Sequence, residues 1–254
     1  MFLGANLAMA QGIGPDDYIP VNADQARIGQ LLFYDKILSG NKNISCGTCH
    51  HHDHASGDGL SLGIGEGGVG IGPQRTTGTG PDAIRKRIPR NAPSLWNLGH
   101  NDIETLFHDG RLTRSDIYGN GYDSPAEEWL PEGLDNLVAA QSLFPMVAQF
   151  EMAGNPRENE IAGATHDRID VAWPIIAKRV RTIPAYGAMF VQAFDHILEQ
   201  GFMQSGYAEY YSFEDYLYLA YGVQNDVEMM NSYIKRTLEP LFIYDYIMAS
   251  ILLS

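Results

Sequence analysis

The chain has 254 residues, with 31 acidic side chains against 17 basic ones and a formal net charge of −14. Hydrophobic residues make up 44%, glycine (27) and proline (13) are abundant, and there are only two cysteines. These values exclude a disordered tail, a coiled coil and a disulfide-framed miniprotein. The acid excess argues against a nucleic-acid partner, whose phosphates demand a basic face.

Residues 1–10 close on Ala8-Met9-Ala10, the A-x-A pattern of a signal-peptide cleavage site, and are read as the remnant of an export leader. Over residues 24–34, Ile28, Leu31 and Leu32 fall on one face behind Asp24 as N-cap, which predicts a short amphipathic helix. From Ser56 to Gly80, ten of 25 residues are glycine. Such a segment cannot hold a stable helix, and a compact domain tolerates it only if it is functional or wraps something. Helical patterns return at Asp135–Phe144, Ala172–Ile183, Ala185–Gln200 and Phe213–Leu238, while strand alternation is scarce. The predicted class is all-α with long irregular loops. A domain boundary is expected in the polar stretch Gly154–Asp167, dividing residues 15–160 from 166–254. The final run FIYDYIMASILLS is interrupted by Asp245 and falls short of the ~20 residues that span a bilayer, so a buried helix is expected there and no membrane span. That run stops without a cap or polar tail, which predicts a continuation of the protein beyond it.

Chemistry concentrates in Cys46-Gly47-Thr48-Cys49-His50, the C-x-x-C-H pattern of c-type haem attachment. Thiols at i and i+3 on one helical turn reach the two porphyrin vinyl groups, and the adjacent histidine lies under the iron as axial ligand. Two other chemistries fit the same residues. A zinc ion would take both cysteines with two of His50, His51, His52 and His54. A redox dithiol would call for a βαβ setting, which the pattern lacks.

The run Gly29-Gln30-Leu31-Leu32-Phe33-Tyr34-Asp35, then Leu38-Ser39-Gly40 and Ile44-Ser45 ahead of the C-x-x-C-H, resembles the bacterial di-haem cytochrome c peroxidase superfamily, which includes the methylamine-utilisation di-haem enzymes. The resemblance continues through Pro89–Leu95, Phe107-His108-Asp109-Gly110-Arg111 and Glu151-Met152-Ala153-Gly154, and weakens at Ile183-Pro184-Ala185-Tyr186 with Phe190 and Phe194. It implies a cytochrome c-like haem domain with long glycine-rich loops, followed by part of a second one. This chain carries one C-x-x-C-H, so a second covalent haem c is expected in a longer protein.

By this resemblance the haem held by Cys46, Cys49 and His50 is the peroxidatic one. Glu151 matches the distal glutamate and Gln141 the glutamine of the same pocket. Phe150 and Met152 flank Glu151 and are expected to desolvate it and raise its pKa. His108 stands where many relatives carry a tryptophan on the route between haems. Glu66, in Ile64-Gly65-Glu66-Gly67, stands where some relatives place a histidine that ligates the resting iron. Asn91 matches a calcium ligand. Arg90 and Arg111 either pair with haem propionates or form buried structural ion pairs with Asp109 or Glu104. Trp96 reads as a core aromatic, the Tyr207–Tyr221 cluster as helix packing, and His100, His166 and His196 as surface or core residues. The implied activity is reduction of hydrogen peroxide to water in the periplasm, with electrons from a small cytochrome c or cupredoxin. A homodimer is a common state among relatives. The alternatives are a mono-haem electron carrier with Met146 or Met152 in the sixth position, and a di-haem enzyme that oxidises a protein side chain.

Overall fold

The structure is a computed structural model and describes residues 13–193, apart from 82, 85 and 191. The expected helix over Phe213–Leu238, the C-terminal run, the tyrosine cluster, Phe194 and His196 lie outside the described residues, as do residues 1–10.

Helix α1 (Ala23–Tyr34) starts at Asn22, whose side-chain oxygen accepts from the N–H groups of Asp24 (3.0 Å) and Gln25 (3.1 Å). Asn22, not Asp24, is therefore the N-cap. Asp24 sits in the first turn, where its charge faces the positive end of the helix dipole. The inward face carries Ala26, Ile28, Leu32 and Phe33, whereas Leu31 is 47% exposed. The i, i+3, i+4 reading placed Leu31 inside; the buried face lies one position over, and Phe33 takes that place. The C-terminal Asp35 caps the following 3-10 turn through Ile37 N–H (2.9 Å) and accepts from the Tyr186 hydroxyl (2.8 Å).

Helix α2 (Cys46–Cys49) is the single turn of the C-x-x-C-H. The glycine-rich segment after it forms turns and one 3-10 turn (Gly72–Gln74), with no α-helix. Three short strands, β1 (Thr105–Leu106), β2 (Leu112–Arg114) and β3 (Tyr122–Asp123), form an antiparallel meander. The sequence pattern missed it because two- and three-residue strands are too short to show alternation. Helix α3 (Leu137–Val147) begins at Asn136, which caps Ala139 N–H (2.9 Å), and runs into a π-helical turn at Gln149–Ala153. Helices α4 (Glu160–Asp167) and α5 (Ala172–Arg181) follow, and residues 184–190 are again helical.

One apolar cluster joins these pieces: Ile28 and Leu32 of α1, Leu143 and Met146 of α3, Ile161 of α4, and Trp173 and Ile176 of α5 are all nearly inaccessible. Trp173 donates its indole N–H to the Leu143 carbonyl (3.0 Å), so the buried polar atom is satisfied. Arg179 ties α5 to the loop after α1 by donating to the carbonyls of Ile37 (3.1 Å) and Ser39 (2.7 Å), and pairs with Glu160 (2.9 Å). The polar stretch 154–167 carries α4, whose Ile161 shares the cluster with α1 and α3 while Ala162 is also buried. Trp96 is 53% exposed: it opens a turn at 96–99, and Leu95, one residue earlier, takes the inward position. Among the described residues, no helix is long and apolar enough to cross a membrane.

Candidate functional site

The turn that carries the two thiols is fixed by Ser45 and Thr48. The Thr48 hydroxyl oxygen accepts from Ser45 N–H (3.1 Å), and His50 N–H closes the turn on the Cys46 carbonyl (2.9 Å). Cys46 and Cys49 are half-buried and are not joined to each other in a disulfide. Burial pushes the Cys46 thiol up to about 12, helped by the neighbouring Cys49. Cys49 is pushed up to about 11, chiefly by burial; Arg75 opposes the rise while Asp58 and Glu151 add to it.

His50 settles its own tautomer. Its Nδ1 lies 3.0 Å from the Ser56 carbonyl and 3.1 Å from the Pro93 carbonyl. Carbonyls only accept, so Nδ1 carries the proton and Nε2 keeps its lone pair. Burial holds the imidazole below its ordinary 6.5, against the pull of these two carbonyls, so it is neutral near pH 7. A bare Nε2 with Nδ1 anchored to backbone is what an axial iron ligand requires.

Glu151 sits on the π-helical turn, and two glycines let other segments close on that turn. Gly40 N–H donates to the Met152 carbonyl (2.8 Å), and a Cβ on Gly40 would overlap the Ala153 carbonyl. A Cβ on Gly65 would likewise overlap the Phe150 carbonyl, to which Glu66 N–H donates (3.3 Å). The glycine-rich loop therefore seats directly on the backbone that carries Glu151. Burial raises the Glu151 carboxyl above its ordinary value, as its apolar neighbours led us to expect, while the charge of Arg111 pulls it down. The carboxylate in turn acts on Cys49, which puts it within electrostatic reach of the attachment turn.

The loop is held in place by Arg75, which is only 4% exposed. Its guanidinium donates to the carbonyls of Ile64 (2.6 Å), Gly65 (2.6 Å) and Gly70 (2.7 Å). Asp58 is 1% exposed; one carboxylate oxygen accepts Leu60 N–H (2.9 Å) and the other has no partner among the described residues. Sequence reasoning missed both residues. The one available signal was an isolated arginine inside a glycine run, since the groups it satisfies are main-chain carbonyls that leave no side-chain pattern.

The remaining candidates are spread more widely. Gln141 is half-buried on α3, which packs against the π-helical turn. Glu66 is tied by the amides of Asn41 (2.8 Å) and Asn43 (2.7 Å), and lines a cleft of about 540 Å³ with Lys86, Phe150 and Glu158. His108 is exposed, 4.0 Å from Asp109. Arg111 pairs with Asp109 (2.9 Å) and stacks on Phe107 (4.0 Å to the centroid). That pair is one of the two expected roles, but it is exposed, not buried, because both residues lie on the surface turn between β1 and β2. Arg90 and Asn91 are exposed. Met146 and Met152 belong to the apolar cluster. Among the described residues, the side chains that converge as metal ligands are His51, His52 and Asp53; neither cysteine joins them, so the zinc alternative lacks its cysteine half.

A one-turn helix with two unpaired thiols, followed by a neutral imidazole with a free Nε2, fits haem c by the chemistry of its donors. Set in a helical domain with long loops, it defines a c-type cytochrome domain. The di-haem cytochrome c peroxidase family model matches residues 23–216, and the chain belongs to that family. A crystal structure of a MauG-like protein associated with microbial copper homeostasis is similar at 20% identity with a TM-score of 0.44. The likeness covers 98% of this chain and 47% of that protein, so the chain spans about half its length. No curated protein matches.

Proposed function

We propose that this chain carries the peroxide-reducing site of a periplasmic di-haem peroxidase, which takes electrons from a small cytochrome c or cupredoxin through a second haem domain. The observation that carries this reading is the placement of Glu151: a half-buried carboxyl of raised pKa, on a turn clamped by two glycine contacts and within electrostatic reach of the C-x-x-C-H.

Cys46 and Cys49 would form the thioethers, and His50 would give Nε2 to the iron. Haem c, when bound, supplies a redox-active iron at which peroxide is reduced. Glu151 accepts a proton from the near peroxide oxygen and returns it to the leaving oxygen, general acid–base work for which a raised carboxyl pKa is suited. Gln141 orients the peroxide by hydrogen bonding. Glu66 is tied to Asn41 and Asn43, which supports a resting haem that would take no ligand from Glu66. Arg90 would face the propionates while Arg111 stays paired with Asp109, Asn91 would ligate calcium, and His108 would sit on the route to the second haem.

Stopped-flow mixing of the haem-loaded protein with hydrogen peroxide tests the reading. Glu151→Gln should leave the Soret band in place and slow the peroxide reaction on the order of 10²–10⁴-fold. An unchanged rate removes Glu151 from the chemistry.

A further inference from the structure

Immediately after His50 the chain reads His51-His52-Asp53-His54, a tract the haem site does not use. His51 is the extended N-cap of the 3-10 turn His52–His54. Its backbone is pinned: His51 N–H donates to the Gly57 carbonyl (3.0 Å), and the His51 carbonyl accepts from His54 (3.0 Å) and Ser56 (3.1 Å). On this rigid turn the ligand atoms of His51, His52 and Asp53 all lie within 4.8 Å of one another. His51 Nδ1 is 3.7 Å from one Asp53 oxygen and His52 Nε2 is 3.6 Å from the other.

We propose that His51, His52 and Asp53 form a binding site for a divalent late transition-metal ion, of the zinc and copper class. Bonds of about 2.0–2.1 Å in a tetrahedral site would separate neighbouring ligand atoms by about 3.3–3.4 Å, so side-chain rotations that draw the atoms in from their present 4.8 Å limit close the set. Two imidazoles and one carboxylate suit zinc or copper, whereas calcium and magnesium prefer oxygen alone. Tyr34 stands behind His52, its hydroxyl 3.2 Å from Nδ1. With Nδ1–H donating to that oxygen, Nε2 presents its lone pair to the ion, the support that ligating histidines commonly have. Metal binding replaces the long contact of His51 Nδ1 with Asp53 N–H (3.2 Å). The side chains of His52 and Asp53 are 61% and 72% exposed, so water completes the coordination. The net charge of −14 draws cations towards the surface. His54 is not part of the set; its ring is seated against Gly72.

The test is isothermal titration calorimetry of the haem-loaded protein with zinc chloride, with the Soret band recorded at each addition. One zinc ion per chain is expected, with the Soret band unmoved. His52→Ala and Asp53→Asn, both on exposed side chains, should each weaken binding at least about tenfold. His166→Ala, on an exposed residue of α4, should change nothing. With copper(II) as a second probe, nitrogen superhyperfine splitting from two imidazoles should fall to one in His52→Ala. Absence of zinc binding, binding equally strong in both variants, or a Soret shift that puts the ion at the haem would each overturn the site. None of these outcomes depends on whether the haem reduces peroxide.

Discussion

His50 Nδ1 lies 3.0 Å from the carbonyl oxygen of Ser56, and a second carbonyl, that of Pro93, stands 3.1 Å from the same nitrogen. The first comes from the turn after the haem motif and the second from the R-N-A-P stretch 43 residues on, so the imidazole is oriented by segments that only the fold brings together. Nitrogen-15 NMR of the haem-free protein at pH 7 should show His50 protonated at Nδ1 and bare at Nε2. Its folded pKa lies below 6.5 because of burial. The neutral form is therefore preferred in the folded state, and its contribution to stability is complete above pH 6.5 and lost as the pH falls through the lowered value. An Nε2-protonated ring at pH 7 would exclude the axial role.

Glu151 has the opposite sign. Burial raises its folded pKa above the ordinary 4.5, so its favourable contribution is present below that pH and is lost as the pH rises through the folded value. Above its folded pKa the ionised side chain is a cost to folding, set against the proton-transfer role proposed for it. Glu151→Gln should therefore keep or raise the thermal midpoint while peroxide reactivity falls. The pH profile of the peroxide reaction should rise through an apparent pKa above 4.5. Arg111→Ala should move that profile further up, because Arg111 is the charge that pulls Glu151 down. A profile unchanged by Arg111→Ala would break the link between the two residues.

Much of this architecture was legible in residues of short range. The C-x-x-C-H turn, α1, α3 and α5 follow from spacing, capping and periodicity, and α1 and α3 came within two residues of their observed starts. What the sequence hid depends on main-chain contacts across long separations. The Gly65–Phe150 approach leaves no trace beyond a glycine, and the carbonyl clamp on His50 involves no side chain but its own. Trp96 was misplaced because composition favours burial of tryptophan, whereas the local turn gives the inward place to Leu95.

Gly65 is the position where this hidden packing is most directly testable. Its missing Cβ is what allows the loop to lie on the Phe150 carbonyl, and backbone cannot move aside as a flexible side chain can. Gly65→Ala should cost on the order of 1–3 kcal/mol in urea unfolding. It should also displace the Glu151 turn, lowering the peroxide rate while haem attachment survives. Arg75→Ala attacks the same loop from its other side by orphaning three carbonyls, and should destabilise on the order of 2–4 kcal/mol. Amide hydrogen exchange over residues 64–70 should accelerate in both variants; exchange that stays slow would mean the loop does not depend on these contacts.

Asp58 gives the last prediction. One of its carboxylate oxygens is buried without a partner among the described residues, while the charge acts on Cys49, on His50 and on Arg75. A buried carboxylate that acts on His50, the proposed iron ligand, would favour the more positive oxidation state, because the negative charge stabilises the extra positive one. Asp58→Asn keeps the volume and the acceptor for Leu60 N–H but removes the charge. Spectroelectrochemical titration should show the haem reduction potential rising on the order of tens of millivolts, the scale of ~1 kcal/mol of lost charge interaction in a one-electron couple. In the haem-free protein the same substitution should make the Cys49 thiol more acidic, since Asp58 is one of the charges that raises it. A potential and a thiol that both stay where they are would reduce Asp58 to a turn residue, its carboxylate serving only Leu60.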